Sequence, residues 1–176
     1  MARMLHVLLL GLVGAGLAHI AILLMIPVFS ERDAWARVSA LGPAYAMLPL
    51  GVETPIPAAD PMFDTAACRF DLADGVTRIR ADGKVPYWSL SVFNRRNESV
   101  YSLNDRTSAG AALDVVVATP VQIIELRKDM PADYESAVFI EADIAEGMVV
   151  LRAFVPDDSW RPGVARWFAG ASCIAD

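Results

Sequence analysis

Histidine is nearly absent from this sequence. The two histidines, His6 and His19, lie within the first nineteen residues, so the rest of the 176-residue chain has no imidazole group. Imidazole is the side chain that enzymes use most often for general acid–base catalysis. The long C-terminal part of the chain therefore lacks the commonest proton-transfer group of enzymes.

Cysteine is scarce, and glycine-rich phosphate-binding loops are missing. Cys68 and Cys173 are the only cysteines, and no glycine-rich segment has the spacing of a P-loop or a dinucleotide-binding turn. If the two cysteines pair, no thiolate remains for nucleophilic catalysis or zinc binding. We therefore predict no catalytic residue, no metal site and no cofactor, and we favour a protein that is not an enzyme.

Positive charge is limited and is not clustered. The formal net charge is −6, and no basic run occurs anywhere in the chain. Proteins that bind nucleic acid present a basic surface to the phosphate backbone. Docking on an anionic lipid surface needs a comparable basic cluster. The sequence argues against both kinds of partner.

A long apolar run, residues 4–29, is the most prominent feature that is present. At a rise of about 1.5 Å per residue it spans roughly 39 Å, more than the roughly 30 Å that a bilayer core requires. A secretory signal has an apolar core of about 7–15 residues before its small-residue cleavage site. Residues 16–18 resemble such a site, but seven apolar residues follow before Pro27. We expect a retained transmembrane anchor over residues 1–30, with cleavage as the alternative.

One face of this predicted helix combines small residues with a histidine. The members follow i, i+3, i+4, i+7 and i+8 spacing: Gly11, Gly14, Ala15, Ala18 and His19. Small residues let two membrane helices approach closely, and a histidine near mid-span is unfavourable against lipid. We predict that this face packs against another transmembrane helix. The alternative is a neutral His19 that bonds to nearby backbone.

The two cysteines give an indication of the cellular compartment in which the C-terminal domain lies. A bridge between Cys68 and Cys173 would close a loop of about 105 residues and contribute roughly 4–5 kcal/mol in the chain-entropy model. Disulfides persist in oxidising compartments, although two unrelated buried thiols remain the alternative. Lys and Arg flank the span too evenly to set its orientation, but large C-terminal parts translocate largely regardless of charge. We therefore expect an inner-membrane protein with its C-terminal domain on the periplasmic side.

Residues 31–62 connect the anchor to the rest of the chain. The first part has the composition of a juxtamembrane helix, in which Trp35 and nearby Tyr45 suit either the membrane–water boundary or packing onto the following domain. Residues 49–62 contain four prolines. Proline-rich segments are extended, so we predict a linker there.

Residues 63–176 change to apolar–polar alternation, which predicts β-strands. One hairpin has its tip at residues 94–97, and segments 136–144 and 148–156 suggest a second. Residues 120–128 read as a short helix or a strand, and the tail suggests another short helix. Six or seven strands with one or two short helices predict an antiparallel β-sandwich-like domain.

Two groups on this domain are candidate ligand or partner surfaces. Tyr87, Trp88 and Tyr101 suggest an aromatic platform, although core packing explains aromatic residues equally well. Arg95 and Arg96 at the hairpin tip suggest anion binding, with a solubilising turn as the alternative. Arg152 lies in an apolar strand, and we expect it to pair with an acidic residue across the sheet.

Three segments carry a family resemblance: "DPMFDTAACRFDL", "VPYWSLSVFNRRNESVYSLNDRTS" and "VVLRAFVP". They resemble bacterial envelope and membrane families designated domains of unknown function 1254 and 1214. The likeness covers roughly residues 60–160. It implies a β-rich fold and an envelope location, and it carries no catalytic residues. Larger relatives contain two such domains, whereas this chain resembles a single membrane-anchored unit whose other half is a separate protein.

Together these features predict a non-enzymatic accessory or assembly subunit of a membrane complex. Its partners would be the membrane and another transmembrane or exported protein, including a related β-domain protein. The alternative is an envelope domain that binds, or hydrolyses, lipid or glycan.

Overall fold

The structure is a computed structural model. It describes residues 2–51, 54, 60–107 and 112–176, and for residues 27–33 it describes the backbone only. Part of the predicted linker, residues 49–62, therefore lies outside the described residues.

A single helix of 40 residues, α1 (Ala2–Leu41), occupies the N-terminal part. Its segment Ala2–Ile26 is long and apolar enough to cross a membrane, and none of that segment is buried within the protein. A membrane anchor and a signal sequence share these properties. The predicted juxtamembrane helix is not a separate element, because α1 continues through a segment of mostly good helix formers to Leu41.

Two sheets form the C-terminal domain. The strands in the described part of the chain are β1 (Leu48–Leu50), β2 (Phe63–Asp71), β3 (Thr77–Ala81), β4 (Trp88–Asn94), β5 (Ser99–Asn104), β6 (Leu113–Ala118), β7 (Val138–Glu141), β8 (Glu146–Phe154) and β9 (Ser172–Ala175). Sheet A has the order β1-β2-β8-β4-β5, and sheet B has the order β7-β6-β3-β9. Two short helices, α2 (Pro120–Lys128) and α3 (Arg161–Ala169), and a 3₁₀ helix (Ala132–Tyr134) complete the domain.

The inner faces of the sheets enclose one hydrophobic core. Leu90 and Leu151 of sheet A pack with Ile79 and Val115 of sheet B, and all four are fully buried. The disulfide between Cys68 and Cys173 joins β2 of sheet A to β9 of sheet B. The predicted mainly β, sandwich-like fold is confirmed, and so is the disulfide.

The predicted second hairpin is wrong. β7 lies in sheet B, where it pairs in parallel with β6, whereas β8 lies in sheet A between β2 and β4. Apolar–polar alternation reports which face of a strand is buried. It does not report which sheet the strand joins, so two neighbouring strands in opposite sheets look like a hairpin.

Two local predictions are decided by the structure. The first hairpin is confirmed, because β4 and β5 pair antiparallel around residues 95–98. Residues 120–128 form α2 rather than a strand. The Thr119 side chain accepts a hydrogen bond from Gln122 N, and Gln122 accepts one from Thr119 N, which is a capping box. The tail forms α3 and then β9.

Candidate functional site

The predicted helix-packing face of α1 is open. Gly11, Gly14, Ala15, Ala18 and His19 are all exposed, and a Cβ added at Gly11 or Gly14 would meet nothing within 4 Å. Within this chain, therefore, no described residue packs against the face. It leaves room for a closely packed helix from another molecule.

The C-terminal end of α1 is packed firmly on the outer face of sheet A. Val38 is 2% exposed and forms a cluster with Ala67 of β2 and Met148 of β8. The Trp35 ring lies between two guanidinium groups, with Arg69 Cζ at 5.8 Å and Arg95 Cζ at 5.2 Å from the ring centroid. Cation–π contacts of this kind each contribute about 0.5–1 kcal/mol at partly exposed positions. The helix is thereby fixed to the sheet.

Polar contacts hold the residues that follow α1. Arg69 Nη2 donates to the carbonyl of Gly42 at 2.8 Å, directly after the helix end, where a cation is favourable. The Tyr45 hydroxyl donates to the carbonyl of Asp71 at 2.7 Å and lies 2.9 Å from Asp74 Oδ2. Burial, together with neighbouring Asp74, raises the pKa of Tyr45. The contact between α1 and sheet A therefore extends to the residues that directly follow the helix.

The three predicted platform aromatics do not share a surface. Trp88 is 1% exposed and lies in the core, so it is not part of any surface of this chain. Tyr101 is 46% exposed, on the inner side of the edge strand β5. Tyr87 lies on the outer side of sheet A against Phe63. Adjacent residues of a strand point to opposite faces, which separates Tyr87 from Trp88.

The two arginines of the hairpin tip are both engaged with carboxylates. Arg95 pairs with Glu146 as well as contacting Trp35. Arg96 pairs with Glu98 at 2.9 Å, and the hydrogen bonds from Asn94 and Arg96 lower the pKa of Glu98. Arg95 therefore belongs to the contact between α1 and sheet A, and Arg96 belongs to a solvent-exposed turn.

Arg152 has surroundings that the sequence did not predict. It lies on the outer face of β8, directly between Thr65 of β2 and Ser89 of β4. The expected pairing with an acidic residue is wrong. In the part of the chain that the structure describes, its contact is with the ring of Phe63, 4.4 Å from Arg152 Cζ. The sequence drew attention to the arginine but could not identify neighbours on strands distant along the chain.

A row of aromatic side chains runs beside Arg152. Phe63 and Phe154 are opposite each other on β2 and β8, with ring centroids 5.4 Å apart. Tyr87 packs edge-on against Phe63 at 6.3 Å. The row is only partly buried. Sheet A therefore presents a cation, flanking hydroxyls and aromatic rings on one face.

Sheet B carries a buried ion pair on its outer face. Arg78, which is 5% exposed, donates to both carboxylate oxygens of Asp114 and to the carbonyl of Asp133. Its guanidinium also lies 4.6 Å from the Tyr134 ring. The Tyr134 hydroxyl bonds to Asp176 at 2.8 Å, and burial with this contact raises the pKa of Tyr134 to about 12. These groups satisfy one another's hydrogen bonds and charges, so we interpret the cluster as structural.

A groove of about 400 Å³ lies between the β1–β2 edge and α3. Its lining is mostly apolar and includes Leu50, Ala66 and Phe168. Asp64 contributes a polar group. In the described part of the chain, no group of three or more acidic, histidine or cysteine side chains is arranged to hold a metal ion.

Comparisons with known proteins give a fold but no family. No protein-family model matches the sequence, and no curated protein matches it significantly. The VPA0106 protein from Vibrio parahaemolyticus is similar over 84% of this chain and 35% of its own, with a TM-score of 0.62 and 12% identity. An uncharacterized protein from Burkholderia cenocepacia covers 62% of this chain and 31% of its own, with a TM-score of 0.46 and 20% identity. This chain thus spans about a third of either protein, and the likeness to the Vibrio protein describes the fold alone.

Proposed function

We propose that this protein is a single-pass membrane protein that acts as a non-enzymatic accessory or assembly subunit of an envelope complex. The observation that carries the proposal is the contrast between the two ends of α1. The whole apolar segment, including its face of small residues, is uncovered by the described part of this chain, whereas the C-terminal end is packed on sheet A.

The uncovered face supports association inside the bilayer. Membrane helices gain little from apolar contact alone, so close packing over small residues and bonds between polar groups favour their association. Gly14 and Ala18 provide the close approach. His19, near mid-span, gains from a partner group because an unpartnered polar side chain is unfavourable in lipid.

The packed end supports a role in assembly. Because Trp35 and Val38 are held by sheet A, a partner helix that binds α1 would also set the orientation of the β-domain. Such a junction suits an assembly subunit, because two surfaces then engage together and raise the effective concentration of each contact.

We further propose the inner membrane as the location, with the β-domain on the periplasmic side. The disulfide supports an oxidising compartment. The proposed partner is a transmembrane or exported protein, including a related β-domain protein as the resemblance to the families of unknown function implies.

The test compares two membrane-helix variants of the tagged full-length protein. Gly14→Leu with Ala18→Leu fills the predicted packing face, and Gly16→Leu makes the same change about 130° away from the centre of that face. Both are purified in mild detergent, and intact mass and companion proteins are measured. We expect a stoichiometric membrane companion that the double variant loses and Gly16→Leu retains. Equal recovery from both variants would contradict the proposal, as would a chain cleaved near Ala18.

A second candidate function is the binding of an envelope lipid or glycan by the β-domain. The specific observation in its favour is the outer face of sheet A, where Arg152 contacts the ring of Phe63 and Phe63 packs against Tyr87 and Phe154. This function does not require association through α1.

A further inference from the structure

Arg152 is a cation whose charge is not balanced by any carboxylate of the residues that the structure describes. Its side chain is partly buried on sheet A, and no described acidic residue pairs with it. Partial burial of a charged group without a partner is unfavourable. Among the described residues Arg78, Arg95 and Arg96 have carboxylate partners. Arg69 is also partly buried, but it bonds to the Gly42 carbonyl, whereas the contact given for Arg152 is the Phe63 ring.

Residues with hydroxyl groups flank Arg152 in the sheet. Thr65 and Ser89 are the direct cross-strand neighbours of Arg152 on the two adjoining strands. Directly opposed residues on one face of an antiparallel pair have Cβ atoms about 4.5–5.5 Å apart, so both hydroxyls lie beside the arginine side chain. Because threonine and serine are short, they leave the guanidinium accessible from above the sheet. They also add hydrogen-bond donors around it.

The aromatic row fixes the arginine and supplies an apolar wall. Phe63 contacts one side of the guanidinium at 4.4 Å, which favours a defined orientation of the planar group. Phe154 and Tyr87 extend the wall beside it. On the opposite side, the next outward residue of β8 is Val150, which packs with the end of α1. The arginine therefore lies in a strip between aromatic rings and the helix junction.

We infer that Arg152 is the recognition residue of a ligand site that takes an oxyanion, a phosphate or carboxylate, borne by a molecule with an apolar or ring-shaped body. A guanidinium binds two oxygens of such a group at once, and charge-assisted bonds of this kind are the strong ones. Thr65 and Ser89 donate to lone pairs of this group that the guanidinium leaves free, and the aromatic row covers the body of the ligand. This inference rests on the second candidate function and is independent of helix association.

The test uses the full chain in an uncharged detergent and three probes of stated chemistry. Phenyl phosphate carries both the oxyanion and the ring, inorganic phosphate carries only the oxyanion, and phenol carries only the ring. Binding is followed by the side-chain Nε–Hε signal of Arg152 in NMR titrations. We expect saturable binding of phenyl phosphate, about tenfold weaker binding of inorganic phosphate, and no shift with phenol, because the charged bond and the ring contact act together. Equal responses to phenyl phosphate and phenol would overturn the inference.

Variants separate recognition from folding. Arg152→Gln is expected to weaken phenyl phosphate binding about tenfold or more, and Arg152→Lys by an intermediate amount because lysine keeps the charge without the bidentate fork. These variants are followed through the backbone amide signals of Thr65 and Ser89. Arg106→Gln, an exposed arginine beyond β5, is the matched control and should bind normally. If Arg152→Gln does not fold, the affinity of Arg152→Lys for phenyl phosphate provides the test. Wild-type affinity in Arg152→Lys overturns the inference.

A lipid arm identifies the source of the oxyanion. The protein is placed in nanodiscs of phosphatidylglycerol or of zwitterionic phosphatidylcholine. A shift of the Arg152 signal that occurs only in phosphatidylglycerol identifies a lipid headgroup. A shift with phenyl phosphate but with neither lipid identifies a free ligand. If no probe and no lipid produces a saturable shift, the site does not exist.

Discussion

Cys68 of β2 and Cys173 of β9 connect sheet A to sheet B through the middle of the domain, with their Cα atoms 6.5 Å apart and 105 positions apart in sequence. Both residues are buried. β9 is an edge strand of only four residues that pairs with β3 alone in the described structure. The covalent bond therefore holds a short terminal strand in place.

Removal of this bond should destabilise the domain. For Cys68→Ala with Cys173→Ala we expect a loss of about 2–5 kcal/mol in the free energy of unfolding, because the unfolded chain regains the freedom of a long loop. Urea unfolding of the full chain in uncharged detergent measures the loss. An unchanged urea midpoint would show that the bond contributes nothing, and single variants with a free thiol are avoided because they can form dimers.

Local features of the fold are predictable from this sequence, whereas contacts between distant segments are not. The start of α2 depends on a local feature, because the capping box of Thr119 and Gln122 involves only neighbouring residues. Alternation predicts strands, but it gives no sheet assignment, and β7 and β8 therefore look like a hairpin although they lie in different sheets. The interior position of Trp88 depends on which face of β4 meets sheet B. That information comes from packing across the domain.

The candidate sites also divide into features that are local in the sequence and features that depend on contacts between distant segments. The small-residue face around Gly14 is a property of one helix and is visible in the sequence. The surroundings of Arg152 come from Thr65 and Ser89, which lie 87 and 63 positions earlier in the chain, and only the sheet register brings the three together. The sequence favours an acidic partner for an arginine in an apolar strand, whereas the register places two neutral hydroxyl residues there.

Trp35 should determine how firmly α1 is fixed to the domain. Trp35→Ala removes the ring between Arg69 and Arg95 and leaves the apolar span unchanged. We expect amide hydrogen exchange of residues 35–41 to increase by about tenfold or more, because local opening becomes easier by about 1–2 kcal/mol. Trp160→Ala is the control, since that tryptophan is 44% exposed before α3. Equal exchange in both variants would mean that the Trp35 contacts do not hold the helix.

The Arg78–Asp114 pair should be far more important for stability than the ion pairs of the surface. Asp114→Ala leaves a buried guanidinium without its carboxylate, and we expect a loss of about 3–5 kcal/mol in the free energy of unfolding. Glu98→Ala breaks the exposed pair with Arg96 and should change stability far less, because solvent screens that pair. Urea unfolding compares the two variants. Adding Arg78→Met to Asp114→Ala should restore part of the loss, and no recovery would contradict a penalty from the unpaired charge.

Tyr134 should make stability depend on alkaline pH. Burial, with a smaller contribution from the bond to Asp176, raises its pKa in the folded protein to about 12 from the ordinary 10.0. Because the folded-state pKa is higher, the protonated hydroxyl stabilises the fold fully below pH 10, and this contribution is lost as the pH rises from 10 toward 12. The contribution is on the order of 2–3 kcal/mol. Tyr134→Phe has no such proton, so the stability difference between wild type and variant should fall across this range. Tyr101→Phe, which removes an exposed hydroxyl, serves as the control in the same urea series. A wild type–Tyr134→Phe difference that stays constant from pH 9 to 12 would contradict the prediction.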